Sequence, residues 1–122
     1  MGWKDLPGLT LPNLAHLQTS AWHLFCVHLD FTMTTIDREG FVERLKQTGI
    51  GTQVHYFPVS HQPFYQHRYQ INDSQFPGAV EHYRTALSLP MFPSMSDSDI
   101  DFVLRQVAEN WRAVMKPHSL VA

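Results

Sequence analysis

Residues 94–114 read SMSDSDIDFVLRQVAENWRAV, and this stretch decides the fold more than any other part of the chain. Ser96 and Asp99 have the spacing of a capping box, in which two side chains satisfy the free amide groups at the start of a helix. The apolar residues that follow recur at helical spacing: Ile100, Val103, Leu104, Val107, Trp111 and Val114. The stretch therefore predicts a long amphipathic helix with one buried face.

Working back along the chain, the next clear signals lie in the first half. Residues 21–30 alternate as a strand does, and few of their positions are charged, so we expect both faces of this strand to be partly covered. Thr34 and Asp37 have the spacing of a second capping box, and Gly49 supplies a stop signal. These signals predict a strand followed by a helix.

The middle of the chain gives weaker signals. Residues 52–57 predict a second strand, which Pro58 ends, and residues 60–75 predict a long loop with at most one helical turn. Pro77 can open a short helix that runs to about residue 86, before a short extended stretch. The order strand, helix, strand, helix, short strand, helix predicts an α/β (α+β) fold with helices packed on one small sheet.

Length, charge and cysteine content exclude several classes of protein. A chain of 122 residues suits one domain, and its formal net charge of −2 gives no attraction toward nucleic acid or an anionic membrane. No apolar run approaches the ~20 residues that span a bilayer, and residues 1–10 lack the pattern of a signal peptide. Cys26 is the single cysteine, which excludes an internal disulfide and favours a reducing, cytoplasmic setting. We expect neither nucleic acid nor a membrane as partner.

Three patterns that could indicate a metal site, a nucleophilic cysteine or a phosphate-binding loop are better explained by structural roles. His55, His61 and His67 recur every six residues, whereas zinc ligands usually come in closer pairs, so we predict no metal site. Cys26 lies in the middle of a predicted strand, where a thiol is usually a small buried hydrophobe and not a nucleophile. The Gly-rich turn at residues 49–51 leads into a strand, and we interpret it as a helix stop and not a phosphate loop.

The run of residues 49–58, GIGTQVHYFP, is more informative. His55 would share a strand face with Gln53 and Phe57, while Tyr56 points the other way. A strand end with polar and aromatic side chains is a plausible edge of a binding pocket. A semi-buried histidine with its hydrogen bonds satisfied explains the same pattern, and the residues alone leave both interpretations open.

Four ordered stretches resemble one family of enzymes. They are SAWHLF at residues 20–25, GIGT with HYFP at residues 49–58, QFP followed by LSLP at residues 75–90, and FPSMSDSD at residues 92–99. This set is similar to the C-terminal part of the DegT, DnrJ and StrS family of nucleotide-sugar aminotransferases, which depend on pyridoxal phosphate (PLP). The similarity covers roughly residues 6–112. Residues 22–25 are especially similar to the branch that forms 4-amino-4-deoxyarabinose for lipid A.

The resemblance implies the small domain of a fold-type I PLP enzyme, with a small antiparallel or mixed sheet and helices on one face. Residues 1–19 would be an extended lead-in from a missing large domain, residues 20–115 the small domain and residues 116–122 a tail. In the family, the lysine that binds PLP and the partner of the pyridine nitrogen belong to the large domain. None of Lys4, Lys46 and Lys116 matches a family lysine motif. We therefore expect PLP in the full-length enzyme and no cofactor on this chain.

The resemblance also implies a role in substrate binding, because the family's small domain caps the active site. His55 and Tyr56 are the first candidates and His23 the next. Arg84 is a candidate for binding a phosphate or carboxylate group through two nitrogens of its guanidinium. The alternative is that Arg84 is a solvent-exposed charge on a helix surface.

The function implied is amination of a keto nucleotide-sugar for cell-surface polysaccharide, with this chain inactive alone. A free-standing nucleotide-sugar binding module and a structural or dimerising module remain open. We also expect self-association through apolar residues that the missing domain would cover: Trp3, Leu9, Leu11, Trp111 and Val114.

Overall fold

The computed structural model describes residues 3–13, 15 and 18–117. Within them lies an antiparallel sheet in the order β1-β2-β3, formed by Leu9–Thr10 (β1), Phe25–Leu29 (β2) and Ala86–Leu89 (β3). The helices are Arg38–Gln47 (α1), Pro63–Tyr69 (α2), Pro77–Thr85 (α3) and Asp97–Val114 (α4). The predicted α/β fold with a small antiparallel sheet is confirmed.

The long helix α4 begins as its sequence predicts. Ser96 is the N-cap: its hydroxyl accepts from the Asp99 amide at 3.2 Å, and the Asp99 carboxylate accepts from the Ser96 amide at 2.9 Å. The Ser96 hydroxyl also donates to the Asp99 carboxylate at 2.7 Å, and this bond, followed by the one from the Ser96 amide, holds the pKa of Asp99 below its ordinary value. Val107, Trp111 and Val114 are buried as predicted, but Ile100 and Leu104 are exposed. The buried stripe therefore occupies only the second half of the helix.

Helix α1 begins three residues later than the predicted capping box. Asp37 is its N-cap, with a side chain that accepts from the Gly40 amide at 2.9 Å. Thr34 is buried, and its hydroxyl lies within donating distance of the carbonyls of Phe31 (2.9 Å) and Ile36 (2.6 Å). The predicted capping role of Thr34 is wrong, because its hydroxyl serves the turn before the helix instead.

The predicted strand at residues 52–57 is also wrong. Gln53 forms a single antiparallel bridge with Ser88 of β3, with N–O distances of 3.1 and 2.8 Å. Two residues further on, contact with β3 passes to the side chain of His55, so no backbone ladder continues. Residues 60–75 include the seven-residue helix α2 where we predicted one turn at most. None of its side chains is buried, which removes the apolar periodicity that would have indicated it.

One face of the sheet packs against α1 and α4. Val27, Leu29, Leu87 and Leu89 form a single buried core with residues of these helices: Phe41, Leu45, Val107, Ala108, Trp111 and Val114. The ring of Trp111 lies edge-on to Phe41, with ring centroids 5.4 Å apart. No described helix is long and apolar enough to cross a membrane.

Residues 3–10 fold onto this core. Trp3 is buried, and its indole nitrogen donates to the carbonyl of Leu104 at 2.8 Å. The indole of Trp111 donates in turn to the carbonyl of Pro7 at 2.8 Å. The expectation that Trp3, Trp111 and Val114 are exposed is therefore wrong, because the segment predicted as a lead-in covers the side of α4. Leu9 and Leu11 are half-buried against the same core.

Candidate functional site

The face of the sheet opposite the core carries polar side chains. Cys26 pairs with Ser88 and His28 pairs with Ala86, so all four side chains point away from the core. His55 packs on this face, with its Nδ1 atom 2.9 Å from the Ser88 hydroxyl oxygen. The ring of Tyr56 meets the His55 ring edge-on at 4.7 Å and is 70% exposed. We call His55, Tyr56 and Ser88 the histidine edge.

The structure brings together only two of the four predicted site residues, namely His55 and Tyr56. His23 is exposed and lines a separate open depression with Trp22 and with Met91, Phe92 and Pro93. Arg84 lines another depression, with His28 and Asp30. The site assignments for all four residues stay predictions.

Arg84 is already bound by carboxylates. Its Nε and Nη2 atoms donate to the two carboxylate oxygens of Glu81 at 2.8 and 2.7 Å, and its Nη1 atom lies 3.8 Å from an oxygen of Asp30. The bond to Arg84 holds the pKa of Glu81 below its ordinary value, and the same bond raises the pKa of Arg84. This arrangement favours the structural interpretation of Arg84, because a ligand anion would have to displace Glu81.

His28 belongs to a small network between β2 and α3. Its Nδ1 atom lies 2.7 Å from the hydroxyl oxygen of Thr85, and its ring meets that of His82 edge-on at 5.0 Å. Burial, followed by the neighbouring His82, lowers the pKa of His28, while Glu81 acts in the opposite direction. The neutral imidazole is therefore favoured in the folded chain.

Six exposed aromatic residues lie between positions 56 and 76, beginning at Tyr56 of the histidine edge. The sequence did not indicate them as a group. We call this set the aromatic surface: Tyr56, Phe57, Phe64, Tyr65, Tyr69 and Phe76. Phe57 packs edge-on against His61 (5.6 Å) and Tyr83 (5.5 Å). Clusters of exposed aromatic rings are typical of binding sites or interfaces.

Arg38 contacts Tyr83, the residue against which Phe57 of this surface packs. Its guanidinium lies over the Tyr83 ring, 4.7 Å from the centroid, and donates to the carbonyls of Tyr83 and Ala86 at the end of α3. The cation thus caps a helix C-terminus, where a positive charge is stabilised. No local pattern indicates this role, since the two contacts join residues 45 and 48 positions apart.

The described residues do not fit attachment of PLP. A Schiff-base lysine needs a desolvated pocket, whereas the Lys46 side chain is 74% exposed and lies 3.6 Å from Glu43. Lys116 is exposed, and its ammonium donates to the carbonyl of Thr32 at 2.6 Å. The side chain of Lys4 lies outside what the structure describes. In the described part of the chain, no group of three His, Cys, Asp or Glu side chains could hold a metal ion.

The family profile of the DegT/DnrJ/EryC1/StrS aminotransferase family matches residues 2–108. The chain belongs to this family, which confirms the resemblance seen in the sequence. It is 36% identical over 108 residues to the spore coat polysaccharide biosynthesis protein SpsC of Bacillus subtilis, covering 88% of this chain and 28% of SpsC. The chain thus spans little more than a quarter of the length of this curated relative.

Solved structures show the same fold. The aminotransferase TlmJ from Streptoalloteichus hindustanus superposes with a TM-score of 0.73 at 26% identity, over 91% of this chain and 28% of TlmJ. Helicobacter pylori PseC, an aminotransferase involved in the biosynthesis of pseudoaminic acid, gives 0.76 at 24% identity, over 90% of this chain and 29% of PseC. The PLP form of Spr1654 from Streptococcus pneumoniae gives 0.74 at 20% identity, over 89% of this chain and 28% of that one. A special similarity to the lipid A branch stays a prediction.

Proposed function

We propose that this chain is the C-terminal small domain of a cytoplasmic, PLP-dependent aminotransferase that aminates a keto nucleotide-sugar for cell-surface polysaccharide. The observation that carries the proposal is the family match over residues 2–108 in a chain that spans 28% of SpsC. The similarity to SpsC, a spore coat polysaccharide biosynthesis protein, and to PseC, an aminotransferase of pseudoaminic acid biosynthesis, supports a sugar substrate. The residues that bind PLP would belong to the remainder of the enzyme, with residues 1–19 leading in from it.

Substrate binding is the part of the reaction that this chain's own residues can serve. At the histidine edge, the exposed ring of Tyr56 offers an amphipathic surface for a sugar or base, and half-buried His55 offers a polar atom beside it. The two side chains lie two and three residues after the Gln53–Ser88 bridge, which attaches this segment to β3. We propose that they form one wall of the nucleotide-sugar site, with His23 at a second position.

A free-standing module is the second candidate. Burial of Trp3 and Leu6 in the core favours it, because these residues complete the fold from within the chain. Such a module would bind a nucleotide-sugar or dimerise without catalysis. Self-association stays a prediction, and the aromatic surface replaces the residues first proposed as its contact.

Titration of the purified chain with PLP tests where the cofactor lysine lies. We expect only the weak, non-saturating aldimine absorbance that surface amines give, because Lys46 and Lys116 are solvent-accessible and fixed outside any enclosed pocket. The matched variants are Lys4→Ala, Lys46→Ala and Lys116→Ala, each of which should lower the signal slightly. A saturable band of one PLP per chain that disappears in a single variant would show that this chain holds the cofactor itself.

A further inference from the structure

Two histidines on the open face of the sheet each place Nδ1 within hydrogen-bond distance of a buried hydroxyl group. His55 Nδ1 lies 2.9 Å from the Ser88 hydroxyl oxygen, and His28 Nδ1 lies 2.7 Å from that of Thr85. Ser88 is 4% exposed and Thr85 is 6% exposed. A hydroxyl has one proton to donate and two lone pairs to accept, so the partner that receives the proton decides the tautomer of each neutral imidazole.

For His28, the helix backbone takes the hydroxyl proton. Thr85 Oγ1 lies 2.9 Å from the carbonyl oxygen of Glu81, one helical turn earlier, and that oxygen can only accept. Thr85 must therefore accept from His28, which places the proton of neutral His28 on Nδ1. The Nε2 atom of His28 is left with a lone pair.

For His55, the opposite arrangement holds. Within the described residues, the Ser88 hydroxyl has no hydrogen-bond partner except His55 Nδ1. If Nδ1 carried the proton, the buried O–H of Ser88 would have no acceptor, and an unpaired buried donor costs about 1–3 kcal/mol. If Ser88 donates instead, its O–H is paired and only lone pairs stay unused, which is the less costly arrangement.

We propose that Ser88 is a positioning residue that holds neutral His55 in the Nε2–H tautomer. The Nε2 atom has no hydrogen-bond partner among the described residues and is available to a ligand. His55 then presents a hydrogen-bond donor, and the ligand atom that it suits is an acceptor oxygen, such as that of a phosphate or a keto group. This ligand assignment rests on the proposed function, whereas the tautomer does not.

Ring-nitrogen NMR on the ¹⁵N-labelled chain tests the proposal without any ligand. At about pH 8.5, two units above the ordinary pKa of histidine side chains, we expect a protonated Nε2 and an unprotonated Nδ1 for His55. We expect the reverse pattern for His28 in the same spectrum. Ser88→Ala should move both His55 nitrogens toward the averaged shifts of a mobile imidazole, and Ser88→Thr should restore the original pattern because it restores the hydroxyl.

Thr85→Ala is the matched control, and it should shift the nitrogens of His28 while leaving those of His55 in place. The proposal is overturned if His55 of the unmodified chain carries its proton on Nδ1. It is also overturned if the ring-nitrogen chemical shifts of His55 are the same in the Ser88→Ala variant as in the unmodified chain. The unmodified chain alone is decisive if Ser88→Ala fails to fold. If His55 has the expected tautomer but the chain binds no nucleotide-sugar, the result counts against the proposed function and not against the role of Ser88.

Discussion

Replacing Trp111 with alanine is expected to lower the free energy of unfolding by about 3–5 kcal/mol, the range for truncating a buried aromatic side chain. Trp111 has no exposed surface and packs edge-on against Phe31 and Phe41 at 5.6 and 5.4 Å. Its indole also holds the first segment of the chain through the carbonyl of Pro7. The variant therefore loses both the centre of the core and one of the hydrogen bonds that attach residues 3–10.

Urea denaturation followed by circular dichroism measures this loss. Phe102→Ala is the matched control, because it removes an aromatic ring from the same helix at a position that is 38% exposed, and we expect a change within about 1 kcal/mol. Trp111→Phe separates the two roles, since it keeps a ring and loses the bond to Pro7. Equal stability of Trp111→Ala and Phe102→Ala would contradict the core described above.

Gly8→Ala is expected to lower the free energy of unfolding by about 2–4 kcal/mol, since overpacking costs about 1–3 and a positive φ about 1 more for an L residue. Gly8 has φ of +71°, and an added Cβ would lie 2.8 Å from the Met33 sulfur and 3.4 Å from the Trp111 ring. Either the Met33 side chain or the first segment would have to shift to make room for the added atom.

Substitutions at two further glycines separate the steric cost of Gly8→Ala from the cost of its positive φ. Gly49 has φ of +87° with nothing within 4 Å of the added atom, so Gly49→Ala bears only the backbone cost. Gly51 has neither a positive φ nor a near neighbour, and Gly51→Ala should be close to neutral. Thermal unfolding of the three variants should place Gly8→Ala lowest, Gly49→Ala between and Gly51→Ala highest. Any order in which Gly8→Ala is not the least stable contradicts the close packing at this turn.

Elements with local signals could be predicted from the sequence. The capping box at Ser96, the opening proline of α3 and the alternation around β2 each depend on residues within a few positions of one another. The packing of the lead-in on the core could not be predicted. The two hydrogen bonds that hold it, from the indoles of Trp3 and Trp111, join residues 101 and 104 positions apart. The predicted strand at residues 52–57 failed because, after the single Gln53–Ser88 bridge, the side chain of His55 and not the backbone makes the next contact with β3.

The histidine edge was predicted in part. The pattern around His55 and Tyr56 indicated a polar and aromatic strand end, and the structure places these two side chains in contact. The role of Ser88 could not be predicted, because nothing in LSLP at residues 87–90 indicates that its hydroxyl faces His55. The aromatic surface was missed since its members lie on a short exposed helix and turns, where no apolar period relates them.

NMR titration with a UDP- or dTDP-linked sugar tests most directly whether this chain supplies a wall of a nucleotide-sugar site. We expect saturable shifts at His55 and Tyr56, with His23 next, and a dissociation constant of about 1 mM, because one wall encloses little of the ligand. Tyr56→Ala should weaken these shifts, while Tyr69→Ala, which removes an exposed tyrosine from α2, should not. Shifts confined to residues near Arg105 and Arg112, or no shifts at all, would contradict a binding role for the histidine edge.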